Sequence, residues 1–291
     1  MKIALVGQKG NPRARSLVEA IGRSFRDSDV SVRADQVTVD ELAADQGRDY
    51  RTNDRGARSD LRPIAIQDLD TCDLVVSIGG DGTFLYAARG VGDTPIMGVN
   101  LGEVGFLNAV APDDAIETIH EVVADMQEDG ETPTREMPRV KASGEGWELP
   151  PALNEVVIQG PQRGHGNGVG VTVRVDGSLY TSGQADGVLV ATPTGSTAYN
   201  LSEAGPLVHP SVPGLVVTEM AAELEMPPLV VDDDTEITVR VEEAEHATVV
   251  SDGRVSQEVE TPSQATLRRA DNDVRVAGPP LDFFTALGKL E

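Results

Sequence analysis

A chain of 291 residues has room for two modest domains with a sizeable core. Its formal charge is −24, from 48 acids against 24 bases, and only four of those bases are lysine. No basic stripe offers a nucleic-acid surface, no apolar run nears the length of a transmembrane helix, and the single cysteine, Cys72, excludes an intrachain disulfide.

The start, MKIALVGQKG, has no secretory h-region, and a reducing cytoplasmic location is expected with no membrane partner. His120, His165, His209 and His246 are scattered without ligand spacing, so no zinc site is expected. Acids recur along the whole chain rather than in a tail, the pattern of surfaces solvated at high salt; a halophilic protein is expected.

Lys2–Val6 reads as a short buried strand ending at Gly7, followed by a turn through Gly10-Asn11-Pro12. Leu17, Ile21 and Phe25 then share one face of a helix over about 14–26. A strand near Val30–Ala34 follows, and the polar run Gln46–Arg62 reads as a loop. Nothing here is a Walker A sequence.

Leu74–Ile78 is a Val/Ile-rich run suited to a strand buried on both faces. It stops at Gly79-Gly80-Asp81-Gly82-Thr83, after which Phe84, Leu85, Ala87 and Ala88 open a helix. Strand, glycine turn and helix N-terminus together aim backbone N–H groups at an anion. Asp81 in that turn reads either as a helix N-cap or as a base beside a phosphate.

Pro95–Asn100 is a further buried strand, and Asn100 to Leu107 carries glycines that permit close approach and a Phe that could flank a flat ring. Pro112-Asp113-Asp114 opens an amphipathic helix with Ile116, Ile119, Val123 and Met126 on one side, ending near Gly130. Alternating strands and helices imply a doubly wound, Rossmann-like α/β domain over about 1–135.

Beyond Thr132 the pattern changes to short strands, a β-rich, sandwich-like domain expected over 136–267. Asp176-Gly177 and Asp252-Gly253 each separate alternating runs and read as hairpin turns. Asp232-Asp233-Asp234 reads as a solvated turn, with a metal site as the second reading. Asn154-Glu155 interrupts the apolar run Ala152–Ile158, where neighbours point to opposite faces, with one exposed acid as the bland expectation. In Asp186–Asn200 a buried strand leads into a Thr/Gly/Ser turn capping a helix, a second anion- or hydroxyl-binding terminus. Phe284, Leu287 and Leu290 in the final segment, 268–291, stand at helical spacing to dock on a core.

In this order, Gly79–Thr83, Asn100–Leu107, Asn154-Glu155 and Asp186–Asn200 resemble the blocks of the NAD kinase family, over about 40–290. The resemblance implies an N-terminal doubly wound domain, a β-rich domain and a last segment returning to the first. It implies phosphorylation of the 2′-hydroxyl of the adenosine ribose of NAD, with Asp81 as general base and Gly79, Gly80, Gly82 and Thr83 as the phosphate-donor turn. Gly82, Phe106, Asn154, Glu155, Asp186, Thr194, Thr197, Ala198 and Tyr199 are the NAD- or NADP-binding positions it implies. Mg²⁺, ATP or polyphosphate as donor, and a dimeric or tetrameric homo-oligomer follow from the same resemblance.

The chain departs from the family pattern at two places, and at one of them, Ala222-Glu223-Leu224 after Met220-Ala221, no site residues are assigned. At the other, where many members carry Arg two residues before the aspartate matching Asp186, this chain has Gln184, losing a bidentate phosphate partner. A catalytically weak NAD- or NADP-binding sensor is therefore one alternative, and a lipid or sugar kinase sharing the glycine-aspartate turn is another.

Overall fold

The computed structural model describes residues 1–46, 61–102, 105–161, 168–223 and 226–288. Most of the expected polar loop, together with Glu103, Val104, His165, Leu224 and Leu290, lies outside these residues. The chain divides into two compact units, Met1–Glu136 with Val274–Glu291, and Met137–Asp273.

The first unit is built on parallel strands β1 (Lys2–Gly7), β2 (Ser31–Asp35), β3 (Arg62–Ile64), β4 (Leu74–Gly79) and β5 (Ile96–Asn100). With the edge strand β6 (Thr134–Met137) they form a sheet of order β3-β2-β1-β4-β5, then Val274–Ala277, then β6. The chain moves outward from β1 to β3, then returns to place β4 on the other side of β1. That reversal opens a crevice beyond the carboxyl ends of β1 and β4, where ligands of doubly wound sheets bind. β1 ends there in Gly7 and β4 in Gly79, and Gln8 donates its N–H to Ile78 O at 2.8 Å.

Helices α1 (Pro12–Ser24), α2 (Gln36–Gln46), α3 (Asp81–Ala88) and α4 (Ala115–Asp129) accompany the sheet. Helix α1 starts where the sequence indicates, with Asn11 as N-cap accepting from Arg13 N and Pro12 at the first position. Helix α2 has no counterpart in the sequence reading, because Val37, Val39 and Leu42 follow neither helical nor strand spacing. What fixes it is Asp35, 2% exposed, whose carboxylate accepts from the N–H groups of Gly7, Val37 and Thr38 and from the Thr38 hydroxyl. One side chain thereby caps α2 and ties it to the end of β1. Helix α4 buries Ala115, Ile119, Val122 and Val123, and its His120 ring stacks on Phe25 at 4.1 Å.

The last helix corrects an expectation. It spans Phe283–Leu287, and the residues that pack are Phe283 and Ala286; Phe284, expected to dock, is 72% exposed. Its N-cap, Asp282, accepts from Phe284 N and Thr285 N, and this cap starts the helix one residue before the Phe284–Leu287 spacing suggests.

The second unit is a sandwich of two six-stranded antiparallel sheets. One contains β7 (Val140–Gly144), β8 (Trp147–Glu148), β10 (Val169–Val175), β11 (Ser178–Ala185), β15 (Ile237–Glu242) and β18 (Ser263–Arg269). The other contains β9 (Glu155–Gln159), β12 (Gly187–Ala191), β13 (Leu215–Met220), β14 (Leu229–Val231), β16 (His246–Ser251) and β17 (Val255–Glu260). Alternation sets the core: Val169, Val171 and Val173 of β10 meet Val156, Ile158, Val188 and Val190 from the facing sheet. The opposite residues of β9 and β12, Val157, Leu189 and Ala191, are also buried, in a second cluster with Val208 and Met220 and with Tyr199 against it. β9 and β12 are therefore covered on both faces, which is why they read as continuous apolar runs.

Both hairpin expectations hold. Asp176-Gly177 joins β10 to β11 and Asp252-Gly253 lies between β16 and β17, each pair at positive φ (47° and 76°; 45° and 63°). Among the described residues, no helix is long and apolar enough to cross a membrane.

Candidate active site

In the first unit the glycine-aspartate turn lies at the carboxyl end of β4, at the point where strand order reverses. Gly79 has to be glycine, because a Cβ there would come within 2.9 Å of Gln8 Cβ and also overlap Thr83. Gly80 differs. Its φ of −94° suits any residue, and a Cβ would meet nothing within 4 Å. Among the described residues nothing fills the space beside Gly80. Gly82 is exposed, and Thr83 donates its N–H to Gly80 O at 2.9 Å.

Asp81 is the first residue of α3, with Gly80 in the N-cap position, and its carboxylate does not cap its own helix. It turns instead to the loop after β5. That loop leaves the sheet at Asn100 and rejoins at Val110, where Asn100 N donates to Val110 O and Val110 N to Gly98 O. Asn100 Oδ1 accepts from Gly102 N, tightening the exit. The returning chain lays three donors on Asp81: Phe106 N to Oδ2 at 2.9 Å, Leu107 N to Oδ1 at 3.2 Å, and Asn108 Nδ2 to Oδ1 at 3.0 Å. Gly105 makes this approach possible, since a Cβ there would stand 2.7 Å from Asp81 Oδ1.

Burial pushes the Asp81 carboxyl above the ordinary carboxylate range; the two amides and the Asn108 side chain pull it back part of the way. Phe106 contributes its backbone N–H, while its ring sits against Phe283 with centroids 6.1 Å apart. Asn108, 2% exposed, escaped the sequence reading, which stopped at Leu107; its signal was a polar side chain directly after an apolar pair.

In the second unit Asn154 and Glu155 are both buried, at 9% and 7% exposure, which corrects the expectation of one exposed acid. The reason is the hairpin turn between β16 and β17. Asp252, 8% exposed, accepts from Leu153 N at 2.9 Å, Asn154 N at 2.8 Å and Glu155 N at 3.3 Å. A turn aspartate therefore fixes the backbone of the Asn-Glu pair, a role that chain separation hides in the sequence.

The segment after β12 is stitched to the same place. Thr192 N donates to Asn154 O at 2.9 Å, and the Thr192 hydroxyl donates to Leu153 O at 2.6 Å. Gly195 packs so closely on Asn154 O that any Cβ would overlap it. The expected helix shrinks to a 3₁₀ turn, Thr194–Thr197, and the four-residue α5 (Tyr199–Ser202). Neither N-cap residue, Pro193 or Ala198, caps with its side chain; Thr192 Oγ1 accepts from Gly195 N, Ser196 joins Pro193 O to the backbone of Val208, and Thr197 donates to Thr194 O. Such short turns have little dipole to offer an anion.

Asn154, Glu155, Thr194, Thr197, Ala198 and Tyr199 are thus gathered at one end of β9 and β12. Asp186 stands at the other end of β12, roughly 16 Å away at about 3.3 Å per residue. Gln184 hydrogen-bonds Glu243. In the triple acid, buried Asp233 is paired with Arg269 at 2.7 Å, a turn held by an ion pair.

Burial, and next the Asp252 charge, push Glu155 up to about 7, against a lowering bond from the Tyr199 N–H. Glu155 Oε2 has no hydrogen-bond partner among the described residues. The native chain therefore keeps a proton that the unfolded chain has released, and stability falls as pH rises from about 4.5 to about 7. Glu155→Gln is expected to remove that slope, gaining on the order of 3 kcal/mol over the wild type above neutrality. Denaturant unfolding of both proteins across this window checks it; parallel curves would contradict it.

The first unit is a doubly wound sheet with a carboxylate in a glycine turn at its switch point, and the second is an antiparallel sandwich. Residues 3–127 match the ATP-NAD kinase N-terminal domain and residues 153–278 the ATP-NAD kinase C-terminal domain. The chain is 56% identical to the NAD kinase of Haloarcula marismortui and 55% identical to that of Halobacterium salinarum, with all of both chains covered in each case. Among solved structures it resembles an NAD kinase from Archaeoglobus fulgidus in complex with ATP (TM-score 0.73, 26% identity, covering 100% of this chain and 98% of that one). The fold also matches yeast NADH kinase complexed with NADH, with a TM-score of 0.85 at 22% identity, covering 100% and 87% of the two chains. The chain belongs to the NAD kinase family. Nothing supports the lipid- or sugar-kinase alternative, and the relatives from salt-loving archaea agree with the acidic composition.

Proposed function

We propose that the chain transfers the terminal phosphoryl group of ATP to the 2′-hydroxyl of the adenosine ribose of NAD, forming NADP, with Asp81 as general base. The observation that carries this is the Asp81 carboxylate: half-buried, raised in basicity by burial, and held by three donors beside the unfilled space at Gly80. The hydroxyl oxygen forms its bond to phosphorus as its proton passes to Asp81. The bond from phosphorus to the bridging oxygen breaks, and ADP leaves with that electron pair. Gly79, Gly80, Gly82 and Thr83 are the proposed donor turn, where backbone N–H groups and the absence of side chains admit phosphate.

Asn154, Glu155, Asp186, Thr194, Thr197, Ala198 and Tyr199 are the proposed dinucleotide-binding positions of the second unit, with Gly82 and Phe106 those of the first. A buried carboxyl near neutrality such as Glu155 either donates to or accepts from a ribose hydroxyl, according to pH.

Mg²⁺ belongs in this proposal as part of the donor. Among the described residues no second acid acts on Asp81, and the cluster Asp232–Asp234 has Asp233 committed to Arg269. Neither offers a protein cage, so the cation would be carried on the donor's phosphates and would neutralise their charge there. A cytoplasmic homo-oligomer, dimer or tetramer, completes the proposal; exposed Leu179, Met226 and Val230 are apolar surface it would cover.

The test is NADP formation from NAD in molar KCl with ATP and, separately, polyphosphate. Turnover with ATP is expected. Turnover with polyphosphate alone would replace the donor; none with either, alongside NADP binding, would favour the sensor.

A further inference from the structure

Asn108 is almost completely buried, yet only one end of its amide is used. Nδ2 donates to Asp81 Oδ1 at 3.0 Å, while its own Oδ1 has no partner among the described residues. A buried carbonyl left unpaired is costly, and an apolar side chain would pack there without that cost. The amide is also tightly placed: a Cβ on Gly98 of β5 would overlap Asn108 Oδ1 and approach its Cα to 2.8 Å. The bare backbone at Gly98 thus makes room for an asparagine whose one bond goes to Asp81.

The bonding of that carboxylate is unequal. Oδ1 accepts two donors, Leu107 N and Asn108 Nδ2, and Oδ2 accepts one, Phe106 N. Each carboxylate oxygen offers about two lone-pair sites in the carboxyl plane. We propose that Asn108 is a positioning residue that, with the Leu107 N–H, saturates Oδ1 and leaves Oδ2 as the atom that takes the proton from the acceptor hydroxyl. This rests on the reading of Asp81 as the base. As the hydroxyl oxygen bonds to phosphorus and the donor's bridging P–O bond breaks, the proton moves to Oδ2 and later passes to water. Around Asp81 stand the glycine turn, Gly105 and the amides of Phe106 to Asn108; no charged side chain among the described residues acts on it. Its protonation is set by burial and by these three donors, and Asn108 is the one of the three that substitution removes without altering the backbone.

The test is the pH dependence of kcat/KM for NAD, at saturating ATP in molar KCl, which reports the essential base of the enzyme–ATP complex that meets NAD. Asn108→Ala removes a donor to the charged form, so the acid limb is expected to move up by about one pH unit, with KM for NAD changed less than kcat. Asn108→Asp keeps the shape but sets a second carboxyl against the first, and the limb is expected to move further up. An acid limb that stays in place in both variants would overturn the role of Asn108, even if Asp81→Asn is inactive. Near-normal turnover in Asp81→Asn would instead overturn the reading of Asp81, whatever Asn108 does.

Discussion

Dilution from molar KCl to about 0.1 M salt is expected to unfold the chain and abolish its activity, and restoring the salt to recover both. The charge of −24 is the general cause, and helix α4 shows it locally. Its solvent side carries Glu117, Glu121, Asp125 and Glu128, following exposed Asp114, with no lysine or arginine on the helix. These acids recur at spacings of three and four, where like charges on a helix repel. The Debye length is about 3 Å in 1 M salt but about 10 Å at 0.1 M, so neighbours screened in the first condition feel each other in the second. Helix α4 also supplies Ile119, Val122 and Val123 to the core of its unit, so repulsion along its outer face acts against that packing. Far-UV circular dichroism during salt dilution reads the fold, and NADP formation the activity. Retention of both at 0.1 M would remove the high-salt reading of the composition.

What the sequence showed and what it hid follow one physical division. Features made by neighbouring residues were legible: the β4 run and its glycine turn, the Asn11-Pro12 start of α1, the amphipathic α4 and both Asp-Gly hairpins. Features made by contact between distant segments were not. Asp252 reads as a turn residue because its neighbours are Ser251 and Gly253, yet its carboxylate holds the backbone of residues 153–155, nearly a hundred positions earlier. Asp35 likewise fixes α2 and Gly7 together, and no spacing rule announces it.

The candidate site divides in the same way. Asp81 was found because the turn around it is local. Asn108 was not, because its meaning lies in a bond across 27 positions. Strand alternation suggested that Asn154 and Glu155 would take opposite faces with one exposed; instead the Thr192–Tyr199 segment and Asp252 cover both. Asp186 shares a sequence block with Thr194 and Tyr199, but a whole strand separates it from them. Gln184, which suggested a weakened site, hydrogen-bonds Glu243 in this fold. Phe284 was chosen over Phe283 by spacing, and the Asp282 cap decides otherwise.

Asp81→Asn is expected to produce the largest change in chemistry. The amide keeps the shape of the carboxylate and an acceptor oxygen for part of the loop, but it cannot take a proton. Its NH₂ end must also face a donor from the Phe106–Asn108 segment, so a modest loss of stability accompanies the loss of function. A general base contributes roughly 10²- to 10⁴-fold to such a transfer, and turnover should fall within that range. Affinity for NAD should stay within about threefold, since an interaction made only in the transition state affects kcat and not binding. The deciding measurement pairs the turnover number of Asp81→Asn for NADP formation in molar KCl with its dissociation constant for NAD by calorimetry. A fall of at least about a hundredfold in the first with little change in the second is the predicted result. Turnover near that of the wild type would contradict the assignment of Asp81 as the base.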